Sequence, residues 1–97
     1  MVKFSKKEID FINRQEVCRF ATASTDGMPH VVPVGHLFEK GIFYICVDYG
    51  TKKLHNVREN PKVSLIVDIY RDPHNAAVFI QGNAEIIEKR KRIQRNL

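Results

Sequence analysis

The triplet Thr51-Lys52-Lys53 is the residue pattern in this chain best suited to chemistry. It follows "YICVDYG" and opens a short run, "LHNVREN", that Pro61 stops. The run reads as a helix over 51–60 with Thr51 as its cap. A helix N-terminus carries partial positive charge, and a lysine beside it costs about 0.3–1 kcal/mol. Here two lysines stand in the first turn, and no acid follows until Glu59. The first helix of the chain is an internal control. Lys6 and Lys7 are early there too, but Glu8 stands in the same turn. Two readings are open for 51–53. Either water absorbs the small repulsion, or a bound anion offsets it. Free N–H groups, a dipole, a hydroxyl and two ammonium groups make a phosphate site without a glycine-rich loop. Leu54 and Val57 would pin such a helix to the rest of the fold.

Other reactive residue types are present without a reactive arrangement. His30, His36, His55 and His74 lack metal-ligand spacing, so no metal site is expected. No nucleophile–base–acid set is legible, and catalytic side chains stay unassigned. Arg19 reads as an outward-facing strand residue, and His36 either as a satisfied histidine or as a proton donor facing a site. Cys18 and Cys46 lie in apolar runs with no C-x-x-C spacing, which reads as packed free thiols.

The elements that must position these residues follow from local pattern. "FSKKEIDFINRQ" is a helix start: Ser5 and Glu8 form a capping box, Phe4 and Ile9 a hydrophobic staple. The helix ends near Gln15. "VCRFATAS" reads as a strand, "TDGM" as a turn, "PHVVPVGHLF" as a second strand and "EKG" as a second turn. "IFYICV" is a third strand, apolar on both faces, so both faces should be covered. "KVSLIVD" and "AAVFIQGNAEII" are further strands around an Asp72-Pro73 breaker. Strands this frequent, with few helices between them, favour a mainly β fold with flanking helices, a small antiparallel barrel. The 97 residues are one domain: a helix to residue 16, a β body over 17–88 and a basic helical tail over 89–97.

The second strand breaks a rule. Pro33 lacks an N–H and Gly35 weakens a strand interior, which implies an edge, a bulge or a split in the sheet. Freed backbone groups must bond to something: water, or a planar ligand with ring nitrogens and carbonyls. Gly82 likewise marks a bulge or a close approach.

Charge and hydropathy exclude some classes. The net charge is +5, but residues 88–97 hold five bases and one acid, which is +4 of it. Such a tail could touch nucleic acid or an acidic partner. Against that, the aromatics lie in apolar strands rather than among basic residues, so nucleic acid is ranked last. No apolar run approaches the roughly 20 residues that span a bilayer. The N-terminus has no apolar core of a signal peptide, which leaves the cytoplasm as the expected location.

Three stretches in register add a resemblance. "RFATASTDGMPHVVPVGHLF", "GIFYICVDYGTKKLHNVRENPKVSLIV" and "FIQGNAEII" resemble the flavin-binding split-barrel proteins related to pyridoxamine 5'-phosphate oxidase. The resemblance implies a split β-barrel that forms a homodimer with FMN at the interface. It implies that Thr51, Lys52 and Lys53 hold the flavin phosphate and that Asn56 supports them. It places His30, Val31, Val32, Pro33 and Val34 along the isoalloxazine ring, with Cys46 and Val47 at the neighbouring strand end. Several members have a basic residue where this chain has His30, and lysine where it has Gly35. The oxidase that makes pyridoxal phosphate also has a longer substrate-binding C-terminal part, so that activity itself is not expected. Relatives of this fold bind the deazaflavin F420 or haem, which keeps both as alternative cofactors. The expected function is a flavin-dependent oxidoreductase taking electrons from a small-molecule donor. A non-catalytic cofactor-binding module is the alternative.

Overall fold

The computed structural model describes residues 3–88; the basic tail expected over 89–97 lies outside the described residues. The chain runs α1 (Lys6–Arg14), β1 (Val17–Ala23), β2 (Pro29–Gly35), β3 (Leu37–Glu39), β4 (Ile42–Tyr44), α2 (Lys52–Glu59), β5 (Lys62–Ile69) and β6 (Ala76–Asn83). Helix α1 starts as its sequence predicts. The Ser5 N–H donates to Glu8 Oε1 at 2.8 Å and the Glu8 N–H to Ser5 Oγ at 3.1 Å, a complete capping box. Ile9, expected to form a staple with Phe4, is exposed, and the Phe4 ring meets Phe38 edge-on at 5.1 Å.

The strands are antiparallel and fall into two sheets, β2-β1-β5-β6 and β3-β4. The arrangement is split, with no closed barrel. The second strand is cut in two at His36: its N–H still donates to the Glu16 carbonyl at 3.1 Å, one step beyond the Val17–Gly35 pair, and from Leu37 the chain joins the other sheet as β3. Pro33 therefore marks both an edge, since β2 is the last strand of its sheet, and the approach to the split. Gly82 is not a bulge, and nothing among the described residues approaches it closely. It pairs in unbroken register with Val63, and a Cβ there would meet open space. The third strand is shorter than its apolar run, ending at Tyr44, and Ile42 and Tyr44 are exposed. The Lys40-Gly41 turn has both residues at positive φ (52° and 80°), as a two-residue hairpin turn needs.

Alternation sorts the four-stranded sheet into two faces. Cys18, Phe20, Leu65 and Val67 point inward and pack with Phe11 and Ile12 of α1, Phe38 of β3 and Val57 of α2. Each such burial contributes about 1.5–3 kcal/mol. The outward face carries Val17, Val31, Pro33, Ile66 and Phe79 around an Arg19–Asp68 pair, in which Arg19 Nε donates to Asp68 Oδ1 at 3.1 Å. Arg19 thus faces outward as expected. No helix among the described residues is long and apolar enough to cross a membrane.

Candidate functional site

Helix α2 begins at the expected residue, after the expected cap. Gly50 takes φ +84°, a value favoured by glycine, and turns the chain into the helix. Thr51 is the N-cap with extended backbone (φ −81°, ψ 154°), yet its side chain accepts no capping bond. Its hydroxyl donates instead to the Asp48 carbonyl at 2.9 Å. The first-turn N–H groups have no intrahelical acceptor by construction. So α2 presents an N-terminus that its own cap residue leaves open, with no acid in the first turn. Helix α1 has both the cap and the acid. Lys52 is exposed and Lys53 half-buried, about 100° apart around the helix.

One nearby acid was not legible from local sequence. Asp26, in the β1–β2 turn, is held below the usual carboxylate range. The Ser24 hydroxyl is the main cause, followed by the Met28 N–H, with the Lys52 charge a smaller contribution. Asp26 is already engaged by Ser24 and Met28, so it does not serve as an N-cap.

Beneath α2 lies a buried polar group of residues. Asn56 is fully buried, and its Nδ2 donates to Thr22 Oγ1 on β1 at 3.0 Å. Asn60 Nδ2 donates to the Ala23 carbonyl at 3.3 Å. These two bonds seat α2 on β1 and so fix where Lys52 and Lys53 stand, one turn away. Thr22 pairs in register with His30 of β2, linking the helix to the edge strand. Asn56 Oδ1, His30 Nδ1 and His36 Nδ1 are buried without a hydrogen-bond partner among the described residues. The large majority of buried side-chain polar atoms are bonded, so such atoms call for a water or a ligand atom. Thr22 was missed from sequence. Its signal was available as a polar residue on the inward side of a strand whose other inward residues are Cys18 and Phe20.

Strand β2 is an edge strand of the four-stranded sheet. Every second backbone pair of an edge strand points away from the sheet. His30, Val32 and Val34 turn inward, while Val31 and Pro33 turn outward. Cys46 and Val47 are not brought into any ladder. They follow β4 as unpaired chain, with Cys46 exposed and Val47 half-buried. Cys46 is thus a free surface thiol, whereas Cys18 is free and buried.

An open cleft of about 500 Å³ runs along the outer side of α2, from Tyr49 and Gly50 past Thr51 and Lys52 to His55 and Arg58. Leu54, expected to pin the helix, lines this cleft and leaves the pinning to Val57. Lys53 is not on its wall. Among the described residues no three His, Cys, Asp or Glu side chains converge as metal ligands would.

Comparison with known proteins agrees with this geometry. The curated 5a,11a-dehydrotetracycline/5a,11a-dehydrooxytetracycline reductase of Streptomyces rimosus is 37% identical over 91 residues, covering 87% of this chain and 64% of its own length. This chain thus spans less than two-thirds of that relative. A conserved hypothetical protein from Mycobacterium tuberculosis superposes with a TM-score of 0.79 at 27% identity, over 97% of this chain and 60% of that one. An FAD-binding protein from Mesorhizobium loti gives a TM-score of 0.70, also at 27% identity, over 96% and 70%. Residues 4–96 match the family model for pyridoxamine 5'-phosphate oxidase. The chain belongs to the pyridoxamine 5'-phosphate oxidase family, whose flavin-binding split-barrel architecture its two antiparallel sheets share.

Proposed function

We propose that this chain binds a flavin nucleotide, FMN or the FMN half of a larger flavin, and serves as a flavin-dependent reductase of a small molecule. The observation that carries this reading is the start of α2: an uncapped N-terminus, two lysines and no acid in the first turn. A phosphate dianion supplies the acceptors that Thr51 does not. The residues fit such a group in a second respect. Asn56 Oδ1 on α2 and His30 Nδ1 on β2 are buried and, among the described residues, unpartnered, and would be open to polar atoms of a bound group.

A flavin, when bound, supplies the hydride and electron transfer. The chain's own part is placement. Lys52 and Lys53 fix the phosphate, and the Asn56–Thr22 bond holds their helix in position. The open backbone of β2 offers donors and acceptors to a planar ring. The similarity to a curated reductase supports a reductase role, with a reduced nicotinamide or another small molecule as the electron donor.

The same reading includes a homodimer with the flavin at its interface. A single chain leaves Val17, Val31, Phe79, Ile42 and Tyr44 exposed, several of them on the outward sheet face beside β2. A second copy would cover that face and wall in a ring lying against the strand. The test is the absorption spectrum of the purified protein, followed by anaerobic addition of NADH or NADPH. A flavin spectrum that bleaches and returns with an acceptor is expected. A protein that takes up no flavin, or that shows a haem spectrum, contradicts the proposal.

A further inference from the structure

We infer that Glu88 is a positioning residue for the anion site at the start of α2, acting on it through Tyr49. This rests on the flavin reading above and adds to it what holds the phosphate-binding turn in place. Residues 45–50 lie between β4 and the cap of α2 and join neither sheet. Ile45 packs against the core at the start of this stretch. At its other end Gly50 has the widest choice of backbone angles of any residue type, so the turn does not fix itself. The bond from the Thr51 hydroxyl to Asp48 is local and spans only three positions. Among the described residues, one hydrogen bond ties 45–50 to a distant segment: the Tyr49 hydroxyl donates to Glu88 Oε1 at 3.1 Å, across 39 positions of sequence. Tyr49 is more than half exposed (57%), so packing does not hold its ring and the hydroxyl does. It stands two residues before the N-cap, so that bond sets where the open N–H groups, Lys52 and Lys53 begin.

Glu88 is itself anchored. After β6 the chain stays beside the sheet: the Ala84 N–H donates to the Pro61 carbonyl at 2.8 Å, one step past the Lys62–Asn83 pair. Ala84 and Ile86 pack against the core while Ile87 is exposed, an extended alternation that puts Glu88 on the side of the two packed residues. There its two oxygens reach both ends of the helix. Oε1 accepts from Tyr49 ahead of α2, and Oε2 lies 3.7 Å from an Arg58 nitrogen in the last turn. The Arg58 and Glu88 side chains are 45% and 38% exposed, and a pair so open adds little by itself. Its part is to orient the carboxylate towards the hydroxyl, which then donates a charge-assisted bond. The far half of α2 is fixed to β1 by Asn56 and Asn60. Glu88 supplies the matching hold on the near end.

The experiment measures FMN and riboflavin affinities of the flavin-stripped protein by flavin fluorescence, in the parent and in Tyr49→Phe, Glu88→Ala and Glu88→Gln. The ratio of the two affinities reads the phosphate contact, which a general loosening of the fold would not move. Tyr49→Phe keeps the ring and removes the bond. Its FMN:riboflavin ratio should fall roughly fivefold or more, the scale of one net hydrogen bond, while riboflavin affinity stays near the parent's. Glu88→Ala and Glu88→Gln remove the same charge, but glutamine still offers Tyr49 an acceptor. The ratio in Glu88→Ala should therefore lie roughly fivefold or more below that in Glu88→Gln. Melting curves of all three variants check that they fold. A ratio unchanged in Tyr49→Phe, or equal in the two Glu88 variants, overturns the positioning role and leaves the flavin reading intact. A parent that binds FMN no better than riboflavin, or binds neither, overturns the phosphate site and this inference together.

Discussion

Asn56 and Thr22 are joined by a buried 3.0 Å hydrogen bond that ties the helix carrying the two lysines to the central strand β1. The bond connects the anion site to the sheet, and through the Thr22–His30 pairing to the strand that would face a flavin ring. Asn56→Ala removes the donor and leaves Thr22 short of a partner. It should lower stability by about 1–3 kcal/mol, read as a drop in melting temperature. Flavin affinity should fall with it as α2 loosens. A variant that melts like the parent would show that the bond does not hold the helix.

The lysines act on binding rather than on folding. Lys52 is exposed and Lys53 half-buried, so each alanine substitution should change stability by about 0.5 kcal/mol or less. Each should weaken FMN binding by about 1.5–3 kcal/mol, roughly 10- to 100-fold. Lys52→Ala with Lys53→Ala together should lose FMN at micromolar concentrations while the circular dichroism spectrum stays unchanged.

The outward sheet face should hold the dimer. Phe79 and Val31 are exposed there beside the Arg19–Asp68 pair. Phe79→Glu places a second acid on the face near Asp68 and should convert the protein to a monomer in sedimentation. If the flavin lies at the interface, the monomer should also release it. A parent protein that is monomeric at all concentrations would contradict the assembly.

The two cysteines should separate in a labelling experiment. Burial pushes the Cys18 thiol up, which keeps it protonated and unreactive at neutral pH. Cys46 is exposed. Iodoacetamide should therefore label Cys46 in the native protein and reach Cys18 only on denaturation. Bound flavin should slow labelling of Cys46 if that segment borders the cofactor, and equal rates with and without flavin would remove it from the site.

Much of this fold was legible because its signals are local. The capping box of α1, the Asp26-Gly27 and Lys40-Gly41 turns and the Pro61 stop act within a few residues, and each appears where the sequence places it. The bare start of α2 was legible for the same reason, since an acid was simply missing from one turn. What stayed hidden depends on contacts between distant segments. Thr51 is the cap the sequence places there, but its hydroxyl donates to the Asp48 carbonyl instead of accepting from the helix, which no local pattern shows. Asp26 is far from Lys52 in sequence and near it only through the β1–β2 turn. The apolar run 42–47 promised a long strand, yet only 42–44 find a partner in a single chain. Thr22 and Asn56 are separated by 34 residues, and no local pattern announces their bond.

The central claim is that the open, cationic start of α2 holds a phosphate. Riboflavin and FMN differ only in that phosphate, so their relative affinities measure the contact. The parent protein should bind FMN at least about 100-fold more tightly than riboflavin, and the preference should vanish when Lys52 and Lys53 are both alanine. Equal affinity for the two ligands in the parent protein, or a preference that survives the double substitution, would contradict the account.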